Sequence, residues 1–195
     1  MGQARPPLLI LTIGHSTRPI EDFIRLLETH GVECIVDVRT IPRSRHNPQF
    51  AADALSASLK AAGIGYQHRP ALGGLRHSTA ASVNPGWRNR SFRGFADYMQ
   101  TPAFKKAVEE LLRMAKKHRL ALMCAEAVPW RCHRSLIADA LVVRGISVEH
   151  IMSLTKRQVH VLTPFAKVHG HEITYPATEE QAEQGHERHL LVRSL

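Results

Sequence analysis

Strand-like apolar runs alternate with amphipathic helical stretches along most of this 195-residue chain, and that alternation restricts the fold more than any other feature. Leu8–Ile13 is rich in β-branched residues and reads as a buried strand. Beyond Gly14-His15-Ser16, Thr17 suits an N-cap, Pro19 a first turn, and Glu21 and Asp22 the positive end of a helix. Ile20, Phe23, Ile24, Leu26 and Leu27 then share one face up to Gly31. Val32–Val38 repeats the strand, Asp53–Ala62 forms a short helix, and 63–69 is a third, more exposed strand. Pro102–His118 is the clearest helix, with Phe104, Val108, Leu111, Leu112 and Ala115 inward and lysines and glutamates outward. Leu120–Met123, a helix stopped by Gly145, and Ser147–Ile151 complete the series. The expected fold is α/β: three layers, with a mainly parallel sheet and helices on both faces.

In such sheets ligands bind beyond the carboxyl ends of the strands. The polar clusters fall there: His15 and Ser16 after the first strand, Arg39 to His46 after the second, Arg69 to His77 after the third, and Cys124 to Arg134 after the central one. They are expected to meet in one cationic cleft.

The segment 120–145 holds the densest chemistry, with Cys124, Glu126, Cys132, His133 and Arg134 around one strand-loop-helix turn. The first turn of a helix has unpaired N–H groups and a positive dipole end, which favour an anion or a thiolate. Arg131 and Arg134 add positive charge, so a cysteine there should have a lowered pKa. Cys132 sits in or just before that turn, and Cys124 faces it across the loop. Glu126 turned inward would need Arg134 or His133 as partner; turned outward it is a surface charge. Cysteines are also often small core residues, the expected role of Cys34.

The formal net charge is +9 with a pI near 10.0, which favours an acidic partner: nucleic acid, a nucleotide or a phosphorylated metabolite. Trp87 to Phe95 interleaves arginines with aromatics, as a nucleic-acid surface or a lid packed on the body would. Three cysteines do not make a disulfide framework, no apolar run is long enough to span a membrane, and no secretory leader is evident, so a cytoplasmic location is expected. Residues 8–176 read as a single domain with an irregular arginine- and aromatic-rich insertion at 76–101, and 177–195 as a loosely held polar tail. The sequence is silent on oligomeric state.

Ile13-Gly14-His15-Ser16, Val36-Asp37-Val38-Arg39 with Pro42-Arg43-Ser44, Phe92 to Met99, and Cys124-Ala125-Glu126 followed by Cys132-His133-Arg134 together resemble the DUF488 family, a domain of unknown function. That resemblance implies a Cys/Glu/Cys-His-Arg site and brings no settled activity. Asp37-Val38-Arg39 and a strand ending at Cys124 also resemble rhodanese-type domains. The loop after Cys124 departs from theirs, being longer and carrying Glu126, Pro129, Trp130 and Cys132.

Three function classes remain open on the residues. One is an enzyme acting on a phosphate-, nucleotide- or sulfur-bearing anion. Cys124 would be its nucleophile or redox thiol, Glu126 or His133 would move protons, and His15, Ser16, Arg39, Arg43 and Arg134 would hold the anion. The second is a zinc or iron site of Cys124, Cys132 and His133, with Glu126 or His15 as a fourth ligand. Against it, adjacent Cys132 and His133 and the wide gap back to Cys124 are not finger or ribbon spacing. The third is nucleic-acid binding or processing. The bland alternative is an α/β domain whose cleft receives a partner protein.

Overall fold

The computed structural model describes residues 8–178, so the expected tail lies, from 179 onward, outside the described residues. In chain order the elements are β1 (Leu9–Gly14), α1 (Ile20–Thr29), β2 (Cys34–Asp37), α2 (Ala52–Ala61), β3 (Gly65–His68), α3 (Arg90–Met99), α4 (Pro102–Ala115), β4 (Leu120–Cys124), α5 (Arg134–Val142), β5 (Ser147–Ile151), β6 (Arg157–Val159), β7 (Lys167–His169) and β8 (Glu172–Thr174). The first six strands of this series form one sheet in the order β3-β2-β4-β1-β5-β6. All its neighbours pair in parallel except β6, which runs antiparallel to β5. β7 and β8 make a separate two-stranded ribbon.

Successive side chains of a strand point to opposite faces, and this sorts the core into two layers. Leu11, Ile13, Ile35, Ala121 and Met123 pack with Phe23, Leu27, Leu55 and Leu59 of α1 and α2. Ile10, Val36, Leu120 and Leu122 pack with Phe95, Phe104, Val108, Leu136 and Leu141 of α3, α4 and α5. β4 lies between the two layers and is buried along its whole length, which explains its uninterrupted apolar run. No helix among the described residues is long and apolar enough to cross a membrane.

Three details differ from the sequence expectation. Thr17 does not cap α1: it lies in a turn with Ser16, and Pro19 precedes the helix without a side-chain cap. Within the 76–101 segment Arg90–Met99 is the helix α3, capped by Asn89, which accepts hydrogen bonds from the Ser91 and Phe92 N–H groups. β6 is fully exposed, so its three residues carry no apolar pattern; a polar edge strand guards against unwanted pairing.

A candidate metal and anion site at the ends of β1, β2 and β4

β1 and β4 pair with Gly14 beside Cys124, and the chain leaves both strands at this point. The His15 N–H donates to the Cys124 carbonyl at 3.0 Å and the Ser16 N–H to the Ala125 carbonyl at 2.9 Å, so the two exits stay zipped for one more step. The loop after Cys124 passes directly over Gly14. A Cβ there would lie 1.8 Å from the Glu126 carbonyl oxygen, so only glycine permits the approach. Ser16 takes a left-handed backbone, φ 53°, rare for a residue with a side chain.

Pro129–Arg131 forms a single 3-10 turn that delivers Cys132 in an extended conformation, φ −131° and ψ 143°. His133 is already near-helical, φ −57° and ψ −12°. This change of backbone between neighbours lets both side chains reach the same point. The donor atoms of Cys124, Cys132 and His133 lie within 4.8 Å of one another. Cys132 Sγ is 3.7 Å from His133 Nδ1 and accepts the Arg134 N–H at 3.4 Å, at the start of α5. His133 Nε2 faces the Val38 and Leu72 carbonyls, each at 3.1 Å. Carbonyls only accept, so Nε2 carries the proton and Nδ1 presents a lone pair to the sulfurs. Gly74 leaves room for this ring: a Cβ there would be 2.5 Å from Nδ1.

The two thiols differ. Hydrogen bonding to Cys132, together with burial, pushes the Cys124 thiol up to about 12. Burial works against a Cys132 thiolate too. There, the Cys124 thiol, the Arg134 charge and the Arg134 N–H outweigh it and bring Cys132 down to about 6. Two sulfurs therefore share one proton near neutrality, with the negative charge on Cys132. The sequence reading had put Cys132 at the helix start that favours a thiolate and had named Cys124 as the nucleophile or redox thiol.

A cavity of about 580 Å³ opens over this cluster, and its walls include His15, Ser16, Arg39, Arg43, Glu126 and Arg131. Arg39 is buried against Asp37, with Nη2 to Oδ2 at 2.6 Å and Nε to Oδ1 at 2.9 Å, and the Tyr66 hydroxyl donates to the same carboxylate at 2.8 Å. Its charge is thus largely matched. His15 Nδ1 donates to the Ser16 carbonyl at 2.8 Å, and Nε2 accepts from Arg39 Nη1 at 3.3 Å. Burial lowers His15 to about 4. The ring is neutral and both nitrogens are engaged, so it offers no lone pair to a fourth metal position. Glu126 has an exposed side chain on the cavity wall and does not join the three-residue donor set.

Arg134 does not reach the cavity, where it had been expected to hold an anion. It is 1% exposed, donates to the Glu126 carbonyl at 2.7 Å and to Thr12 Oγ1 at 3.2 Å, and so clamps the loop from beneath. The chain continues from Thr12 to His150 Nδ1 at 2.7 Å, from His150 Nε2 to His160 Nδ1 at 3.0 Å, and from His160 Nε2 to Asp139 Oδ1 at 2.8 Å. Thr12, Asp37, Asp139, His150 and His160 were not among the sequence-level site residues. The available signal was Asp139, a carboxylate inside the otherwise apolar run of α5.

A family profile described as "Domain of unknown function DUF488" matches residues 19–141. No curated protein and no solved structure gives a match to the chain. The profile spans more than half the sequence and includes both Asp37-Val38-Arg39 and Cys124 through Arg134; the chain belongs to the DUF488 family.

Proposed function

We propose that this protein is a metal-dependent enzyme, with zinc or iron held by Cys124, Cys132 and His133 and an anionic substrate bound in the cavity above them. One observation carries the reading: two sulfurs and an imidazole lone pair converge within 4.8 Å at the base of a cavity. Tetrahedral zinc, with Zn–S of about 2.3 Å and Zn–N of about 2.0 Å, sets sulfur and nitrogen ~3.6 Å apart. Cys132 Sγ and His133 Nδ1 lie 3.7 Å apart. The Nε2–H of His133 on backbone carbonyls is the usual outer support of a ligating histidine. Three protein ligands leave a fourth direction open, as in catalytic rather than structural zinc sites. A metal bound there supplies Lewis acidity and lowers the pKa of coordinated water. In this reading Glu126, exposed on the cavity wall, would act as the proton acceptor, and Arg43 and Arg131 would receive substrate charge. The reaction class this supports is hydrolysis. Reduced, unpaired cysteines fit a cytoplasmic setting.

A rhodanese-type reading would make Cys124 the nucleophile. Its buried thiol, hydrogen-bonded to Cys132 and raised to about 12, argues against that use. A second reading is a metal-free thiol enzyme in which Cys132 is the nucleophile, favoured by its depressed pKa of about 6. Metal analysis and cobalt(II) reconstitution separate the two. Stoichiometric metal, with sulfur-to-cobalt charge-transfer absorption lost in Cys132→Ser and His133→Gln, is expected. Protein that holds no metal as purified or after reconstitution would falsify the metal reading.

A further inference from the structure

The cavity over the cysteines does not end at its own wall. It shares Leu75 and Ser91 with a second cavity of about 600 Å³, lined also by Arg76, His77 and Arg90. Arg43 and Arg131 stand at the first cavity and Arg90 at the second, all exposed. Among the described residues none of these three guanidinium groups has a hydrogen-bond or ion-pair partner. The two other arginines that line these cavities are already engaged. Arg39 is matched by Asp37, and Arg76 donates to the Gly73 and Pro70 carbonyls and stacks on the Tyr98 ring at 3.7 Å. Of the residues lining the two cavities, Glu126 is the one acid. Leu75, shared by the two cavities, is 68% exposed, and Ile41, 59% exposed, and Phe92 line the first.

Free cations spaced along a furrow, with apolar side chains on the same walls, match a chain of phosphates joined to flat bases. A mononucleotide would leave Arg90 unused. A stacked base of a duplex cannot reach Cys124 and Cys132, which are 8% and 3% exposed in the cavity lining, because a base must leave its stack to enter a cavity. We infer that the substrate is single-stranded nucleic acid, running from Arg90 across Leu75 to Arg43 and Arg131, with one unstacked nucleotide over the Cys124–Cys132–His133 cluster. The inference rests on the reading of that cluster as the reacting centre.

The test uses the full chain and a fluorescein-labelled single-stranded DNA oligonucleotide, followed by fluorescence anisotropy across a salt series. Three phosphate contacts give a slope of log K against log salt of about −2, and Arg90→Ala makes it shallower by about 0.7. The same variant leaves competition by thymidine monophosphate unchanged, since that ligand occupies the first cavity alone. Equal or tighter binding of the duplex overturns the inference, as does a flat salt dependence, or an Arg90→Ala protein that binds the oligonucleotide like the parent. Cobalt(II) absorption, read on the same samples, keeps the two claims apart. A loaded metal centre with no oligonucleotide binding removes the nucleic-acid substrate and leaves the metal reading standing. Binding with no metal does the reverse.

Discussion

Arg134 and Asp139, both buried on α5, are joined by an unbroken hydrogen-bond chain through Thr12, His150 and His160. The chain has one consistent direction. Arg134 donates to Thr12, Thr12 to His150 Nδ1, His150 Nε2 to His160 Nδ1, and His160 Nε2 to the Asp139 carboxylate. Burial, then His160 and Arg134, push His150 down to about 3, so it stays neutral and its Nδ1 stays an acceptor. The arrangement compensates a buried cation with a buried anion across β1 and β5. It fixes the guanidinium that holds the loop carrying Glu126.

Asp139→Asn should therefore be among the most damaging single changes. The carboxylate also accepts from the Thr163 hydroxyl at 2.7 Å and from Tyr175 at 2.8 Å. Removing its charge takes the buried anion from the His160, Thr163 and Tyr175 donors and should cost about 3–5 kcal/mol in urea denaturation. A loss below about 1 kcal/mol would show that the network carries little energy.

Acid sensitivity follows from the two depressed histidines. His15 is lowered to about 4 and His150 to about 3, both mainly by burial, from 6.5. The folded state binds fewer protons than the unfolded one between those values and 6.5. Their contribution is thus fully present above pH 6.5 and is lost as the pH falls through about 4 and then about 3. Each should account for something on the order of 2 kcal/mol. Denaturant midpoints measured from pH 7 to pH 4 should fall, and His150→Asn should flatten that fall relative to its own value at pH 7. Parallel curves for parent and variant would contradict the assignment.

Gly14→Ala tests the crossing of the loop over β1. A methyl group 1.8 Å from the Glu126 carbonyl forces the loop away from Arg134. The expected result is a folded protein by circular dichroism that has lost most of its metal affinity, at least about tenfold as for other support positions of metal sites. Unchanged metal content would mean that the loop yields without disturbing Cys124 and Cys132.

Thiol reactivity gives an independent reading of the cluster. Alkylation of both Cys124 and Cys132 should be slow in metal-loaded protein and speed up once a chelator is added. In the chelated protein Cys132 should react from near pH 6 upward, while Cys124 lags, because hydrogen bonding to Cys132 and burial hold it near 12. Fast labelling of Cys124 ahead of Cys132 would reverse the assigned roles.

The local pattern of the chain was legible in its residues, and the shape of the site was not. Apolar runs and helical faces placed β1, β2, β4, β5 and the helices α1, α2, α4 and α5 to within a few residues, because burial on a strand or helix face imposes its period directly on the sequence. The same pattern put His15, Arg39, Cys124 and Cys132 at strand or helix ends. What it did not contain is the partner of each group. Cys132 and His133 are sequence neighbours, and it is the change from extended to near-helical backbone that brings both side chains to Cys124. Arg134 carries the same charge as Arg43, yet one is sealed beneath the loop and the other exposed at the cavity. Asp139, His150 and His160 come from three separate segments and meet only once β5 lies beside β1. Periodicity records which face is buried; contacts between residues distant in sequence are decided by how the layers pack.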